Sequence, residues 1–265
     1  MTSRPPAVAG MFYPADKQQL QAMVGDFLAE ESAQPLSADQ QQSIKALIVP
    51  HAGFIYSGPV AASAYRLLQN RRNIINRVVL LGPSHRVPFR GLALPDSDRF
   101  STPLGDIPLD QAGMQQLLDL KQVHVSAQAH AYEHSLEVQL PFLQSVFNDF
   151  RLLPIVVGAC EVDLVKAALR LVWGCEETLI VISTDLSHYH HYDRAREIDR
   201  HTAELIIQKQ SQLHGEQACG CQPLNGLLKL ASELSLSICP LDLRNSGDTA
   251  GDKDRVVGYG AFAVY

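Results

Sequence analysis

Two short apolar runs, each closing on a histidine, constrain this chain more than any other feature. LIVPH ends at His51 and VVLLGPSH ends at His85. Aliphatic runs of this length, bounded by Pro and Gly, read as strands buried on both faces. Helical periodicities separate such runs along the chain, and strand–helix alternation predicts an α/β fold. The expectation is one three-layer domain over residues 1–265, with a central, mostly parallel or mixed sheet and helices on both faces. In such folds, sites form outside the carboxyl ends of strands. That rule puts His51, His85 and Asp185, which follows TLIVIST, in similar surroundings.

Local signals fill in the frame. Leu20, Met23, Val24, Phe27 and Leu28 share one helical face, predicting a helix over 17–29 capped by Asp16. The polar stretch 31–43 reads as an exposed loop. Pro59 suits the first turn of a helix running through AASAYRLL. Pro141 interrupts a helical pattern that starts near His134 and predicts a kink or an early break. Asp193 is placed to cap a long polar helix reaching Gln210.

Composition excludes several function classes. The net charge is −6 with no basic run, which argues against a nucleic-acid partner. The longest apolar runs are about six residues where a membrane span needs about 20, and no secretory signal is visible. Five cysteines, an odd and sparse set, predict reduced thiols in a cytoplasmic protein. The Cys219–Cys221 pair lacks a second pair to complete a zinc site, and a nucleophilic Cys219 is a weak reading.

Four clusters carry the chemistry. His51 and His85 can each offer a neutral imidazole nitrogen, and a carboxylate would complete an open 2-His-1-carboxylate site suited to non-haem Fe(II). The plainer reading is that both histidines bond loop backbone. In STDLSHYHHYD, Asp185 can orient His188, and His188 is the candidate general acid/base; His190 and His191 read as solvated. In AHAYEHSLEVQLPFL, His134 can project into a cleft and Glu137 can pair with a histidine, although capping and hydration explain the same pattern. In RNSGDTAGD, Asp248 is the candidate third carboxylate, against a purely structural turn. Tyr56 is a candidate substrate donor. A Ser-His-Asp triad through Ser57 or Ser84 is a weak reading, because no GxSxG elbow appears. Zinc-assisted or metal-free hydrolysis with His188 as base is a third possibility.

PPAVAGMFYP, VPHAGFIYSGPVAASAY, LLGPSH, TPLGDIPLD, EHSLEVQLPFL, STDLSHY, the CGCQP turn and SGDTAGD occur in an order, nearly end to end, that resembles the MEMO family. These are bacterial and archaeal relatives of the human mediator of ErbB2-driven cell motility. The resemblance implies a fold like the class III extradiol ring-cleaving dioxygenases, which hold Fe(II) with two histidines and a carboxylate. It implies His51 and His85 as the first two ligands, His188 with Asp185 as the acid/base region, and His134 as a further site histidine. At the C-terminal position the human relative has a cysteine, whereas SGDTAGD here offers Asp248 as the third ligand. The resemblance also implies AMMECR1-like and radical SAM protein partners, and a small-molecule substrate. The competing expectation is a binding or adaptor protein with a vestigial site.

Overall fold

The structure, a computed structural model, describes residues 2–30 and 36–265. An N-terminal strand β1 (Ser3–Arg4) leads through a turn to helix α1 (Lys17–Ala29), with Asp16 accepting from the Gln19 amide as the sequence predicts. Residues 31–35 of the polar stretch lie outside the described residues, but its end is not a loop. Ser37 and Gln40 form a reciprocal capping box that starts α2 (Ala38–Gln42). The chain then enters the core through β2 (Ala46–Val49) and α3 (Phe54–Tyr65). Pro59 lies inside α3, not in its first turn. Gly53 caps the helix early, and the Phe54 amide donates to Phe12 O at 2.7 Å.

There follow β3 (Arg77–Pro83), β4 (Leu92–Leu94), the hairpin β5 (Arg99–Thr102) and β6 (Gly105–Pro108), α4 (Gln111–Leu118), β7 (Val123–Val125) and α5 (Ala127–Ala131). Pro141 does break the helical pattern. A short 3-10 turn, Glu137–Gln139, precedes α6 (Leu140–Val146), with Pro141 in its first turn. The second half runs β8 (Arg151–Val157), α7 (Val162–Leu171), β9 (Thr178–Ser183), β10 (His188–His190), α8 (Tyr192–Ile207), α9 (Cys221–Glu233), β11 (Ile238–Asn245) and β12 (Val256–Val264). His191, not Asp193, is the N-cap of α8.

Among the described residues the main sheet has nine strands, ordered β10-β12-β2-β9-β3-β8-β4-β7, with β11 paired to β12. Its centre, β2-β9-β3-β8, is parallel, while β12 joins β2 and β4 joins β8 antiparallel. The sheet is therefore mixed. Every residue of β2 and β9 is buried, as are all but the first of β3 and β8, so both sheet faces are covered. Helices α1, α3 and α6 pack together, as do α7 and α9. The order β2-β9-β3 decides where the chemistry sits. Three adjacent parallel strands end side by side, and their next residues include His51, Asp185 and His85.

The segment before α6 locks the N-terminus onto this frame. Glu137, with 0% exposure, accepts from Arg4 Nη1 (2.5 Å), the Ala7 and Val8 amides (2.8 and 2.9 Å) and Tyr13 Oη (2.6 Å). The pairing expected between Glu137 and a histidine is absent; four donors of the N-terminal arm take the carboxylate instead. That arm carries Phe12, whose ring lies 4.8 Å from that of His134.

Candidate metal centre

His51 leaves β2 into the space above the strand ends and is buried. Its tautomer follows from its neighbours. Ser183 Oγ has one proton, which it donates to Ser135 O at 2.6 Å. Gln139 Nε2 donates to the same Oγ at 2.8 Å and to Pro50 O at 2.8 Å, while Gln139 Oε1 accepts from Tyr65 Oη at 2.9 Å. Ser183 Oγ is thus an acceptor toward His51 Nδ1, 3.0 Å away, so Nδ1 carries the hydrogen and Nε2 a lone pair. That lone pair meets Cys219 Sγ at 3.3 Å.

His85 reaches the same state by another route. Glu133 Oε2 accepts the His85 backbone amide at 2.6 Å, and Oε1 lies 2.9 Å from Nδ1. An ionised carboxylate only accepts, so Nδ1 is again the donor and Nε2 is free. Burial pushes the Glu133 carboxyl upward, but hydrogen bonds and the charge of His85 outweigh it and hold the group at about 2. The Ser135 amide donates to Oε1 as well, at 2.9 Å. The segment can come this close because β3 carries glycine at 82, where a Cβ would lie 2.7 Å from Ser135 Oγ.

His134 stacks on His85 with ring centroids 4.7 Å apart, and meets His51 edge-on at 5.6 Å. Its Nδ1 is buried without a hydrogen bond, 3.5 Å from Glu133 Oε1. One ligand nitrogen from each of His51, His85 and His134 lies within 4.8 Å of the others. His51 and His134 are held neutral: burial first, then neighbouring histidines, drives His51 well below its ordinary value, and burial lowers His134 to about 4. Three converging imidazoles and a leftover buried nitrogen fit a transition-metal ion.

Asp185 Oδ1 accepts the His51 backbone amide at 2.7 Å, and Oδ2 lies 3.9 Å from Nε2. Burial raises this carboxyl to about 7. His188 and Tyr56 line the same cleft, of about 1080 Å³, with Phe12, Arg86 and Tyr259 among the other walls. Burial lowers the His188 imidazole below its usual range, favouring the neutral base. His190, expected to be a solvated loop residue, also lines the cleft.

Asp248 is elsewhere. Its carboxylate accepts the Asn245 amide at 3.0 Å in a capping box and also accepts from Tyr192 Oη, and the residue is exposed outside the cleft. The turn reading of SGDTAGD is the one the geometry carries. The residue that does meet His51 is Cys219, which the sequence reading set aside. The Asp185 amide donates to its sulfur at 3.3 Å, and the thiol faces His51 Nε2 at 3.3 Å and the Asp185 carbonyl at 3.7 Å. Burial and the nearby Asp185 push this thiol's pKa well up. Gly220 permits the approach, because a Cβ there would lie 2.7 Å from Thr184 Cβ. The only available signal was the CGCQP turn itself. Ser57 and Ser84 donate to the carbonyls of Ala52 and Val87, and neither meets a histidine.

Buried neutral histidines set an acid limit. Burial lowers His130, whose Nε2 donates to Ala93 O at 2.9 Å, to about 4. Its contribution is present above the unfolded value of 6.5 and is lost as pH falls toward about 4, where the unfolded chain binds the extra proton. His134 acts in the same sense. Asp185 and Asp199, raised by burial to about 7 and about 6, oppose it, their contributions declining as pH rises. The H130Q variant is therefore expected to show a shallower stability loss than the parent between pH 6.5 and 4, by up to about 3 kcal/mol. Urea unfolding across that range checks it, and parallel profiles would contradict it.

The whole chain matches known proteins. The Memo-like protein family matches over residues 4–263. A MEMO1 family protein of Aquifex aeolicus is 36% identical over 275 residues, covering 98% of each chain. One from Ignicoccus hospitalis is 36% identical over 281 residues, with 98% of both chains covered. One from Sulfolobus acidocaldarius is 33% identical, covering 97% of both. An uncharacterized protein of Escherichia coli K12, of solved structure, superposes with a TM-score of 0.55 at 13% identity, over 82% of this chain and 99% of its own; that likeness concerns the fold alone. The histidine-bearing strand ends thus sit within a match that runs almost end to end, and the chain belongs to the Memo-like protein family.

Proposed function

We propose that the cleft is a mononuclear metal centre of an oxidoreductase, with Fe(II) held by His51, His85 and His134. The observation that carries this reading is the convergence of three imidazoles within 4.8 Å, two of them with Nδ1 engaged by Ser183 and Glu133 so that Nε2 is left for a ligand. When bound, Fe(II) would supply a position for an electron-rich small molecule and dioxygen together. The chain's own residues then do the rest. Tyr56 offers a donor for orienting the substrate. His188 takes and returns a proton. Asp185 holds the His51 backbone in place and, with its carboxyl near neutrality, can pass a proton to the cleft. Phe12 and Tyr259 supply apolar walls that limit water.

A second reading is favoured by one contact. Because Cys219 already satisfies His51 Nε2, the cluster is partly self-contained, as a binding cleft with a vestigial site would be. No helix among the described residues is long and apolar enough to cross a membrane. A cytoplasmic setting, and AMMECR1-like and radical SAM protein partners, complete the proposal. Anaerobic purification with metal analysis tests it. About one metal ion per chain is expected, lost in H51A and H85A, with oxygen uptake in the iron-loaded protein given candidate substrates. Metal-free protein after reconstitution would favour the binding cleft.

A further inference from the structure

Arg86 directly follows His85 and lines the cleft, yet it makes no hydrogen bond or ion pair among the described residues. The other basic side chain on the wall, Arg255, lies over the Tyr189 ring at 5.0 Å. Three acidic side chains also line the cleft, and Asp185 is engaged by the His51 amide at 2.7 Å. Asp252 is turned to its own loop, accepting the Asp254 amide at 3.0 Å and the Arg255 amide at 3.4 Å. Glu216 is exposed on the turn preceding Cys219. Of the two cleft arginines, Arg255 is held on the Tyr189 ring, while Arg86 is exposed with no side-chain partner among the described residues, and its backbone is fixed by the neighbouring His85 amide on Glu133. A guanidinium without a side-chain partner matches a carboxylate with two parallel hydrogen bonds.

We propose that Arg86 anchors a carboxylate carried by the small molecule that binds at the His51–His85–His134 cluster. The inference rests on the metal-centre reading, and it names the substrate class: a compact carboxylic acid whose other end faces the histidines. Arg86 acts as a specificity-determining residue.

The test uses full-length protein loaded with Co(II), alongside R86Q and R86K, titrated with 3,4-dihydroxybenzoate and with catechol, the same ring without its carboxylate. Cobalt absorption reports ligand entry, and calorimetry repeats each titration on the metal-free protein. The parent is expected to prefer 3,4-dihydroxybenzoate by about tenfold or more, the size of one charge-assisted contact. R86Q should lose that preference with cobalt content unchanged, and R86K should keep part of it. Equal binding of both probes to the parent overturns the proposal, as does R86Q retaining the preference or neither probe binding either form. Cobalt uptake without discrimination sinks the anchor and leaves the metal reading standing. An Arg86-dependent preference in metal-free protein that takes up no cobalt does the reverse.

Discussion

Replacing Glu137 with alanine is expected to lower the free energy of unfolding by about 3–5 kcal/mol, the usual result of removing one partner of a buried charge pair. The carboxylate has 0% exposure and Arg4 only 6%, so water cannot substitute for either. Two backbone amides and the Tyr13 hydroxyl would lose their acceptor along with the guanidinium. Arg4 would keep its bonds to the carbonyls of His130 and Glu133 but not its counter-charge. E137Q preserves volume and some hydrogen bonds, so its loss should be smaller. The effect should reach the cleft as well, because the released arm holds Phe12 against His134 and supplies the carbonyl that meets the Phe54 amide. Urea unfolding measures the first part. A loss below about 1 kcal/mol in E137A would show that the arm is not anchored as described.

The second large effect is on metal affinity. E133Q is expected to weaken binding about 10- to 100-fold, as loss of an outer-shell partner does. A glutamine has one acceptor oxygen, whereas Glu133 serves the His85 amide, the His85 imidazole and the Ser135 amide with two. If its NH2 faces His85 Nδ1, the imidazole must shift its hydrogen to Nε2, and the lone pair leaves the cluster. Competition with a chromophoric chelator at a temperature where both proteins are folded gives the ratio. Unchanged affinity would mean that Glu133 does not set the His85 tautomer.

Much of this was readable in the sequence, for identifiable reasons. LIVPH and VVLLGPSH revealed their strands because strands covered on both faces must be continuously apolar, and the strand-end rule then grouped His51, His85 and Asp185 correctly in space. The place of β9 between β2 and β3 was not readable, although TLIVIST revealed the strand itself, since β9 comes about 100 residues later and pairing order is a tertiary choice. The same limit hid the roles of Glu133 and Cys219. Both are set by approaches across the sheet ends that Gly82 and Gly220 make possible, and neither approach leaves a local pattern. Asp248 misled for the opposite reason. SGDTAGD is a locally satisfied turn, and its carboxylate is consumed by the Asn245 amide and Tyr192, so it is not available to the cleft. Pro59 misled because a tertiary contact, Phe12 O on the Phe54 amide, starts α3 before the local signal does.

Three histidine rings converge at the cleft, and Asp248 stands outside it. Metal content of anaerobically purified H134A and D248N, measured beside the parent, tests the three-histidine site most directly. The parent and D248N should each hold about one metal ion per chain, and H134A should lose most of it while its circular dichroism stays native. Metal retained by H134A and lost from D248N would contradict the account.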